Sequence, residues 1–193
     1  MDALTRLAHD ARGGNQRALE QFVEVSYHEV WRFCASLVGD YSAEDLVQET
    51  FIRVIRALPQ FHGQSSARTW LLAIARHCCL DELRSQNRRH RRDANLGADT
   101  RCEMTAGDAS HQALVADLLS CLATDRRIAF VLTQLLGLSY DEAAEVCGCP
   151  IGTIRSRVAR ARSELLDLLN SAEAERDRST TPRPRAGGQS SPD

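Results

Sequence analysis

Apolar positions recur along most of the chain at the three- and four-residue spacing of an amphipathic α-helix, and no stretch alternates as a strand does. The segment 16–38 predicts one or two helices, with apolar positions at Leu19, Phe22, Val23, Val30, Phe33 and Leu37. Ser42 is the predicted N-cap of a helix that runs to about Leu58 and ends before Pro59. One buried stripe is expected along that helix, formed by Val47, Phe51, Val54 and Leu58.

Downstream of this helix, the stretch PQFHGQSSAR predicts a loop, and a long helix resumes from about Thr69. Residues 93–111 lack periodicity and are rich in Asp, Gly, Ala and Thr, which is typical of a linker. A second helical set is expected from about Gln112 to 170, and the tail from Ser171 has the composition of a disordered segment. The sequence therefore predicts an all-α protein of two small helical domains joined by a flexible acidic linker. The predicted division is a first domain, a linker, a second domain and a tail, at 1–92, 93–111, 112–170 and 171–193.

The run LSYDEAAEVCGCPIGTIRSRVARARSELLDLL has the pattern of a helix-turn-helix. Ser139 and Glu142 form an S-x-x-E capping box at the start of the first helix. Gly148 indicates the end of that helix, and Pro150 is expected at the first position of the next. The second helix carries one apolar stripe, formed by Ile154, Val158, Ala161, Leu165 and Leu169. Beside it lies a polar stripe, with two arginines on its other flank: Thr153, Ser156, Arg157 and Arg160, then Arg155 and Arg162.

Charge is strongly segregated along the chain, although the formal net charge is only −2. Residues 59–92 hold seven arginines against two acids, and residues 150–162 hold four arginines and no acid. Between these blocks, residues 93–125 hold one arginine against six acids. Two basic blocks on predicted helices indicate two contacts with one polyanion. A helix with this pattern fits a DNA major groove, where arginine can bind guanine through two hydrogen bonds. A basic but merely solvated surface helix is the alternative.

Composition and motifs argue against several other classes of protein. The sequence has no apolar run of about 20 residues and no secretion signal, so the cytoplasm is the expected location. It contains no phosphate-binding loop, dinucleotide-binding glycine pattern or nucleophile elbow, so we expect no enzymatic activity, no cofactor and no metal site. Seven cysteines include two close sets, Cys78-Cys79 and Cys147-x-Cys149. Their spacing does not match a zinc site and favours cysteines without a chemical role. A cysteine that senses redox state remains an alternative.

Two stretches of the chain resemble one known family. LSYDEAAEVCGCPIGTIRSRVARAR is similar to the C-terminal DNA-binding region of the extracytoplasmic-function (group 4, sigma-70 family) RNA polymerase sigma factors. AEDLVQETFIRVIRAL and FHGQSSARTWLLAIARHCCLDELR resemble region 2 of the same family, in the family's order. Within it, SSARTWLLAIARH and TQLLGLSYDEAAEVCGCP are most like the actinobacterial sigma-C branch. The resemblance implies a subunit that binds core RNA polymerase and directs it to promoters, and it adds an anti-sigma factor as a candidate partner.

The resemblance also implies a role for particular residues. Helix 42–58 is expected to bind the clamp helices of the large polymerase subunit, although its exposed residues also describe an ordinary solvated face: Asp45, Gln48, Glu49 and Ile52. The following loop and helix are expected to read a flipped base of the promoter element near −10 and to contact phosphates, through Phe61, His62, Gln64, Ser65, Ser66, Arg68, Trp70, Arg76, Arg84, Arg88 and Arg89. Trp70 opens an apolar helix, which favours a position in the core for it over a contact with the base. The second domain is expected to bind the polymerase flap and to read the element near −35, through Arg127, Thr153, Arg155, Ser156, Arg157 and Arg160.

Two other functions remain as alternatives at this stage. A stand-alone helix-turn-helix regulator of transcription would use the second domain to bind duplex DNA, but it would leave the first domain and the linker unexplained. A cysteine-based sensor or enzyme would need a motif that the sequence does not contain.

Overall fold

The computed structural model describes residues 2–94 and 111–180, and within these ranges every regular element is helical. The α-helices follow in the order α1 (Ala3–Arg12), α2 (Gln16–Val38), α3 (Asp40–Ala57), α4 (Ala67–Ala94), α5 (His111–Ser120), α6 (Thr124–Phe130), α7 (Tyr140–Cys147) and α8 (Ile151–Thr180). A 3-10 turn, Leu58–Gln60, follows α3, and a π-helical turn, Val131–Leu135, extends α6. The predicted all-α fold of two helical parts is confirmed, with α1–α4 as the first unit and α5–α8 as the second. Most of the predicted linker lies outside the described residues.

The core of the first unit forms where α2, α3 and α4 pack together. The stripe predicted on α3 is confirmed, because Val47, Phe51, Val54 and Leu58 are all buried. Facing it are fully buried side chains of α2 and α4, namely Phe22, Val30, Phe33, Leu37, Leu71 and Leu72. Burying a residue of this size stabilises the fold by about 1.5–3 kcal/mol, so these helices hold one another in place and fix the direction of their exposed faces.

Two predicted helix starts are wrong, by three residues for α3 and by two for α4. Ser42 does not cap α3, which begins at Asp40 directly after Gly39. Gly39 adopts φ +82° and donates its N–H to Ala35 O, so a single glycine ends α2 and permits α3 to begin at the next residue. Likewise α4 begins at Ala67 rather than Thr69, because Ser66 Oγ accepts the N–H of Thr69 at 3.0 Å and so caps the helix earlier.

The second unit is built around α8, whose buried side follows the prediction only in part. Ile154, Val158 and Ala161 are buried, whereas Leu165 is half-buried and Leu169 is 43% exposed. The stripe stops there because α8 continues past the helices that cover its first turns, as far as Thr180. Its last ten residues, SAEAERDRST, belong to the segment predicted as tail, but alanine, glutamate and arginine are strong helix formers and prolong the helix. Residues 181–193 lie outside the described ranges.

The predicted capping box at the start of α7 is confirmed. Ser139 Oγ accepts the N–H of Glu142 at 3.2 Å, and the Glu142 carboxylate accepts the N–H of Ser139 at 2.7 Å. The hydrogen bond from the Ser139 backbone lowers the pKa of Glu142. Gly148 ends α7 with φ +63°, in the left-handed region that glycine tolerates best. Pro150 stands one residue before α8 rather than at its first position, and its carbonyl accepts the N–H of Thr153 at 2.9 Å.

Ser139→Ala is expected to lower the free energy of unfolding by about 1 kcal/mol, because it removes the side-chain half of the capping box. Urea unfolding followed by circular dichroism measures this, with Ser171→Ala on the exposed end of α8 as control and an expected change within about 0.5 kcal/mol. Folding holds the pKa of Glu142 below its ordinary value. The Glu142 carboxylate therefore stabilises the fold fully above its ordinary pKa, and this stabilisation is lost as the pH falls through the lowered pKa. This would be contradicted if Ser139→Ala lowered the free energy of unfolding by the same amount at neutral pH and at a pH below the lowered pKa.

The two helical units are packed against each other along a seam where α2 and α4 meet α5–α7. Three arginines cross this inter-unit seam and donate to backbone carbonyl oxygens: Arg32 to Leu135 at 2.9 Å, Arg68 to Leu136 at 2.6 Å and Arg127 to Leu37 at 2.9 Å. Hydrogen bonds from a charged donor are about twice as strong as neutral ones. These polar contacts add to apolar packing, because one cluster of buried hydrophobic residues runs through both units.

Candidate nucleic-acid interface

The 61–66 loop connects the 3-10 turn to α4 and is anchored at its first residue. Phe61 is buried, with its ring centroid 5.3 Å from that of His9 and 4.9 Å from that of Trp70. Phe61 and Trp70 are the two aromatic residues predicted to contact the flipped base. Phe61 is instead a core residue that anchors the start of the loop. Trp70 is half-buried, packs on the core and also borders a surface pocket, so it can serve in both ways that the sequence left open.

A small pocket of about 130 Å³ lies between the 61–66 loop and Trp70. Its lining combines the indole with polar side chains of the loop, namely His62, Gln64 and Ser65. His62 and Gln64 are exposed and Ser65 is half-buried, so hydrogen-bonding groups surround an apolar wall. This is the arrangement that an extruded base requires, with polar groups for its edge and a surface for its face. Ser66 differs from its neighbours because its hydroxyl caps α4 and also bonds to Thr69 Oγ1 at 2.7 Å.

The arginines predicted for phosphate contact divide into two groups. Arg84 and Arg88 are exposed near the end of α4 and line one shallow groove together with Asn87 and Arg91. Arg91 was missed by the sequence reasoning, although it follows Arg84 and Arg88 at spacings of seven and three on one helix face. Arg89 is exposed beside this groove and pairs with Glu82 at 3.7 Å. This end of α4 is a basic surface open to a polyanion.

The other two predicted arginines of this helix face the second unit. Arg68 forms an ion pair with Glu29 as well as its bond to Leu136 O, and the Glu29 hydrogen bond raises the pKa of Arg68. Arg76 is half-buried, and its buried Nε has no hydrogen-bond partner among the described residues. Arg68 would have to leave Glu29 and Leu136 O before it could contact DNA, and the half-buried guanidinium of Arg76 would have to become more exposed.

The outer face of α3 presents the residues predicted for polymerase contact. Asp45 and Gln48 are exposed, and Ile52 is 43% exposed. Glu49 is half-buried and holds Arg53 in an ion pair at 2.7 Å. Ile55, which is 46% exposed, continues the same face by one turn and was missed by the sequence reasoning, although its spacing of three from Ile52 was visible. The face therefore combines carboxylates with two exposed isoleucines, which suits a protein partner better than a purely solvated surface.

The first turns of α8 carry the second predicted DNA-reading surface. Arg155, Ser156 and Arg160 are exposed, and Thr153 is half-buried beside them. Ser156 Oγ donates to the carbonyl of Thr153 at 2.9 Å, which leaves the lone pairs of the hydroxyl as acceptors. Of these residues, Ser156 and Arg160 are the exposed members of the predicted stripe, whereas Arg155 belongs to the other flank of the helix.

Arg157 and Arg127 are placed differently from the rest of the predicted set. Arg157 forms an ion pair with Asp125 of α6 at 2.7 Å and is less exposed than its partner. Arg127 donates to the carbonyls of Ser120 and Leu122 in its own unit as well as to Leu37 across the seam. Arg127 therefore joins α2 to the turn between α5 and α6 in this arrangement, and it does not lie with Arg155 and Arg160.

Five cysteines of the described ranges are free thiols, namely Cys34, Cys78, Cys79, Cys147 and Cys149. Cys34 and Cys79 are fully buried with their Sγ atoms 3.6 Å apart, and the contact with Cys34 together with burial raises the pKa of Cys79. Burial raises the pKa of Cys147 to about 11. Thiolates are the reactive form of cysteine, so Cys79 and Cys147 are poor nucleophiles in the folded state. Within the described ranges no three His, Cys, Asp or Glu side chains are arranged to hold a metal ion. No helix there is both long and apolar enough to cross a membrane.

Comparison with known proteins identifies both helical units. The family model for sigma-70 region 2 matches residues 22–89, and the model for sigma-70 region 4 matches residues 112–165. The ECF RNA polymerase sigma factor SigC of Mycobacterium tuberculosis (strain CDC 1551 / Oshkosh) is 49% identical over 181 residues, which cover 91% of this chain and 94% of that protein.

Two solved structures are also similar to this chain along most of its length. CnrH, in complex with the cytosolic domain of CnrY, superposes with a TM-score of 0.71 at 32% identity, covering 88% of this chain and 99% of that one. The sigma factor RpoE of Bartonella quintana, in complex with the anti-sigma factor NepR, superposes with a TM-score of 0.61 at 32% identity, covering 78% and 96%.

Proposed function

Because the chain belongs to the extracytoplasmic-function sigma factors of the sigma-70 family, we propose that it binds core RNA polymerase through α3 and reads promoter DNA with the 61–66 loop and α8. As an alternative sigma factor it directs transcription initiation, and the proposal assigns this function to named surfaces. The polymerase supplies the chemistry of RNA synthesis, so the chain itself needs no catalytic site. Its expected location is the cytoplasm, where polymerase and DNA meet.

The proposed polymerase contact centres on Ile52 and extends to Ile55 at one end and Asp45 at the other. Two exposed isoleucines supply the apolar centre of an interface, and the carboxylate of Asp45 and the amide of Gln48 supply part of its polar rim. The acidic character of this face favours a basic partner surface, since complementary charge speeds encounter and selects the correct partner. The burial of the opposite side of α3 keeps this face rigid.

The proposed reading of the −10 element uses the pocket beside the 61–66 loop. An extruded base would stack against Trp70 and bond to His62, Gln64 or Ser65, while Arg84, Arg88 and Arg91 neutralise phosphates farther along α4. The base contacts would carry the sequence preference, whereas the phosphate contacts contribute affinity that falls with salt.

The proposed reading of the −35 element uses the first turns of α8 in a major groove. Arg155 and Arg160 can each hold guanine through two hydrogen bonds, and Ser156 and Thr153 can bond to a base or a phosphate. Arg157 would contact DNA with them once its ion pair with Asp125 breaks. The pair is partly exposed and of modest strength, and a DNA phosphate would replace the carboxylate.

The observation that carries the proposal is the presence of two exposed basic surfaces on two separately built helical units. We assign region 2 to residues 1–92, the linker to 93–111, region 4 to 112–170 and the tail to the residues that follow, although α8 itself runs to Thr180. A linker of 19 residues spans at most about 60 Å. Elements near −10 and −35 lie about 25 base pairs apart, or roughly 85 Å at about 35 Å per turn of duplex. The linker together with the width of the two units would bridge this distance, and the second contact would then gain from effective concentration.

Reading both elements requires the two units to separate. In the packed arrangement Glu142 and Glu145 of α7 line a cleft of about 540 Å³ together with Gly63, Gln64, Ser65 and Ser66. Carboxylates at this place repel the phosphates that a strand entering the pocket would bring. The inter-unit seam also occupies Arg68 and Arg127. We therefore expect the polymerase-bound form to have an open seam, in which Arg68 and Arg127 lose their hydrogen bonds across it.

A protein of the anti-sigma class is a further expected partner. The sigma factor RpoE was solved in complex with the anti-sigma factor NepR, and RpoE resembles this chain along most of its length. Such a partner would compete for the surfaces that bind polymerase.

The binding part of the proposal is tested by mixing the purified full chain with core RNA polymerase and separating the complex by size-exclusion chromatography. The expected result is co-elution of one chain per polymerase, and added native anti-sigma partner would displace it. Elution of all the folded chain at its free volume, at micromolar concentrations of both proteins, would contradict the proposed polymerase contact.

A further inference from the structure

Helix α1 lies against the 61–66 loop and outside the segment that matches the sigma-70 region 2 model, which starts at residue 22. It was also missed by the sequence reasoning, although Leu4, Leu7, Ala8 and Ala11 have helical spacing and Asp2 caps the helix. Ala8 and Ala11 are buried against the first unit. Side chains of α1 contact the start of the loop, the middle of the loop and the first residue of α4.

The first connection runs from Asp2 through Thr5 to the start of α4. Thr5 is 5% exposed, and its hydroxyl donates to Asp2 Oδ2 at 2.6 Å while its oxygen accepts the N–H of Ala67 at 2.9 Å. The Ala67 N–H is one of the backbone donors that a helix leaves unpaired at its N-terminus. A residue 62 positions away therefore completes the cap of α4, directly where the 61–66 loop ends.

The second and third connections act on the start and the middle of the loop. Arg12 donates from Nη1 to the carbonyl of Phe61 at 3.1 Å, and the His9 ring packs against the Phe61 ring. His9 also covers Gly63, which has φ +69° and where an added Cβ would lie 2.8 Å from His9 Nε2. Gly63 is thus confined both by its backbone conformation and by the imidazole above it. Asp2, Thr5 and His9 belong to the lining of the cleft beside the loop.

From these contacts we infer that α1 is the positioning element of the base-reading loop, with Thr5, His9 and Arg12 as positioning residues that set selectivity at the −10 element. The inference rests on the proposed function of the loop. Reading a base edge demands that the donors and acceptors be held within about 0.5 Å of their working positions. Glycine at residue 63 cannot supply such rigidity, so the fixed geometry must come from the neighbouring helix.

The test uses the full chain with core polymerase and a template library that is randomised across both promoter elements, with sequencing of the run-off transcripts. Thr5→Val keeps the shape of the side chain but leaves the Ala67 N–H without its acceptor, whereas Thr5→Ser keeps the acceptor. Arg12→Ala removes the bond to Phe61 O, and Arg6→Ala, an exposed residue of the same helix, is the charge-matched control.

Thr5→Val and Arg12→Ala are expected to reduce the preference for the best base over the next best at −10 by about tenfold, with base preference at −35 unchanged. Thr5→Ser and Arg6→Ala are expected to keep the wild-type preference at both elements. A general loss of stability would lower transcription from all templates without changing the ratio of the two preferences. Should Thr5→Val fail to fold, Arg12→Ala decides the question.

The inference is overturned if folded Thr5→Val and Arg12→Ala both retain wild-type preference at −10, or if preference at −35 falls equally. This failure is distinguishable from failure of the proposed function. In the latter case the wild-type chain itself would yield no specific transcripts above core polymerase alone.

Discussion

Asp45→Arg is expected to weaken binding of the chain to core RNA polymerase by about 100-fold. The exposed carboxylate on α3 is proposed to face a basic surface, and a like charge placed across an interface costs several kcal/mol, where each 1.4 kcal/mol is a factor of ten. The loss of affinity is measured by titrating core polymerase into fluorescently labelled full chain. Because α3 does not carry the proposed −35 contacts, binding of the same variant to −35 duplex should be unchanged.

Glu20→Arg is the matched control for this charge reversal, since Glu20 is exposed on α2 and undergoes the same change of two units of charge. It should leave polymerase affinity within about threefold of wild type. Equal losses in the two variants would mean that net charge rather than the α3 face governs binding. Wild-type affinity in a folded Asp45→Arg chain would remove α3 from the interface.

Arg160→Ala on α8 is expected to weaken binding to a −35 duplex by about tenfold to 100-fold, because one guanidinium bound to guanine through two hydrogen bonds discriminates by about 1–3 kcal/mol. The duplex would carry the −35 block recovered from the transcribed library. Fluorescence anisotropy at several salt concentrations separates two modes of contact. Loss of a phosphate contact lowers the salt slope by about one and acts alike on all sequences, whereas loss of a base contact relaxes preference at one position.

Arg17→Ala, at an exposed position of α2, is the control for the loss of one positive charge. It should leave −35 affinity nearly unchanged, and Arg160→Ala should leave polymerase binding unchanged. If Arg160→Ala binds the duplex as wild type does, α8 does not read DNA through this side of the helix. Equal loss of polymerase affinity would also contradict the assignment.

Features that depend on residues close in sequence were predictable. The buried stripe of α3 and the capping box of α7 were read directly from spacing, because both are built from residues within a few turns of one another. The exposed faces of α3 and α8 followed, since the side of a helix opposite its buried stripe must face outward. Resemblance to a family then gave these faces a function that their composition alone did not.

Features that depend on contacts between distant segments were not predictable in this way. Arg68 and Arg127 were assigned to DNA as members of basic segments, yet in the packed arrangement they bond to Leu136 O and Leu37 O. Backbone carbonyls occur at every residue, so no sequence signal marks the ones that an arginine will meet. The hydrogen bond that the Ala67 N–H donates to the Thr5 hydroxyl oxygen could not be predicted for the same reason. Helix α1 itself had a visible pattern, and its significance emerged only from what it touches.

The most direct test of the central claim is to transcribe the randomised template library with core polymerase, with and without the full wild-type chain, and to map the transcript starts. We expect transcript starts that depend on the chain, preceded by two enriched sequence blocks at a constant separation, near −10 and −35. No specific starts above those of core polymerase alone, with folded chain and active polymerase, would contradict this expectation. A single enriched block, bound equally without polymerase, would instead indicate a stand-alone helix-turn-helix regulator.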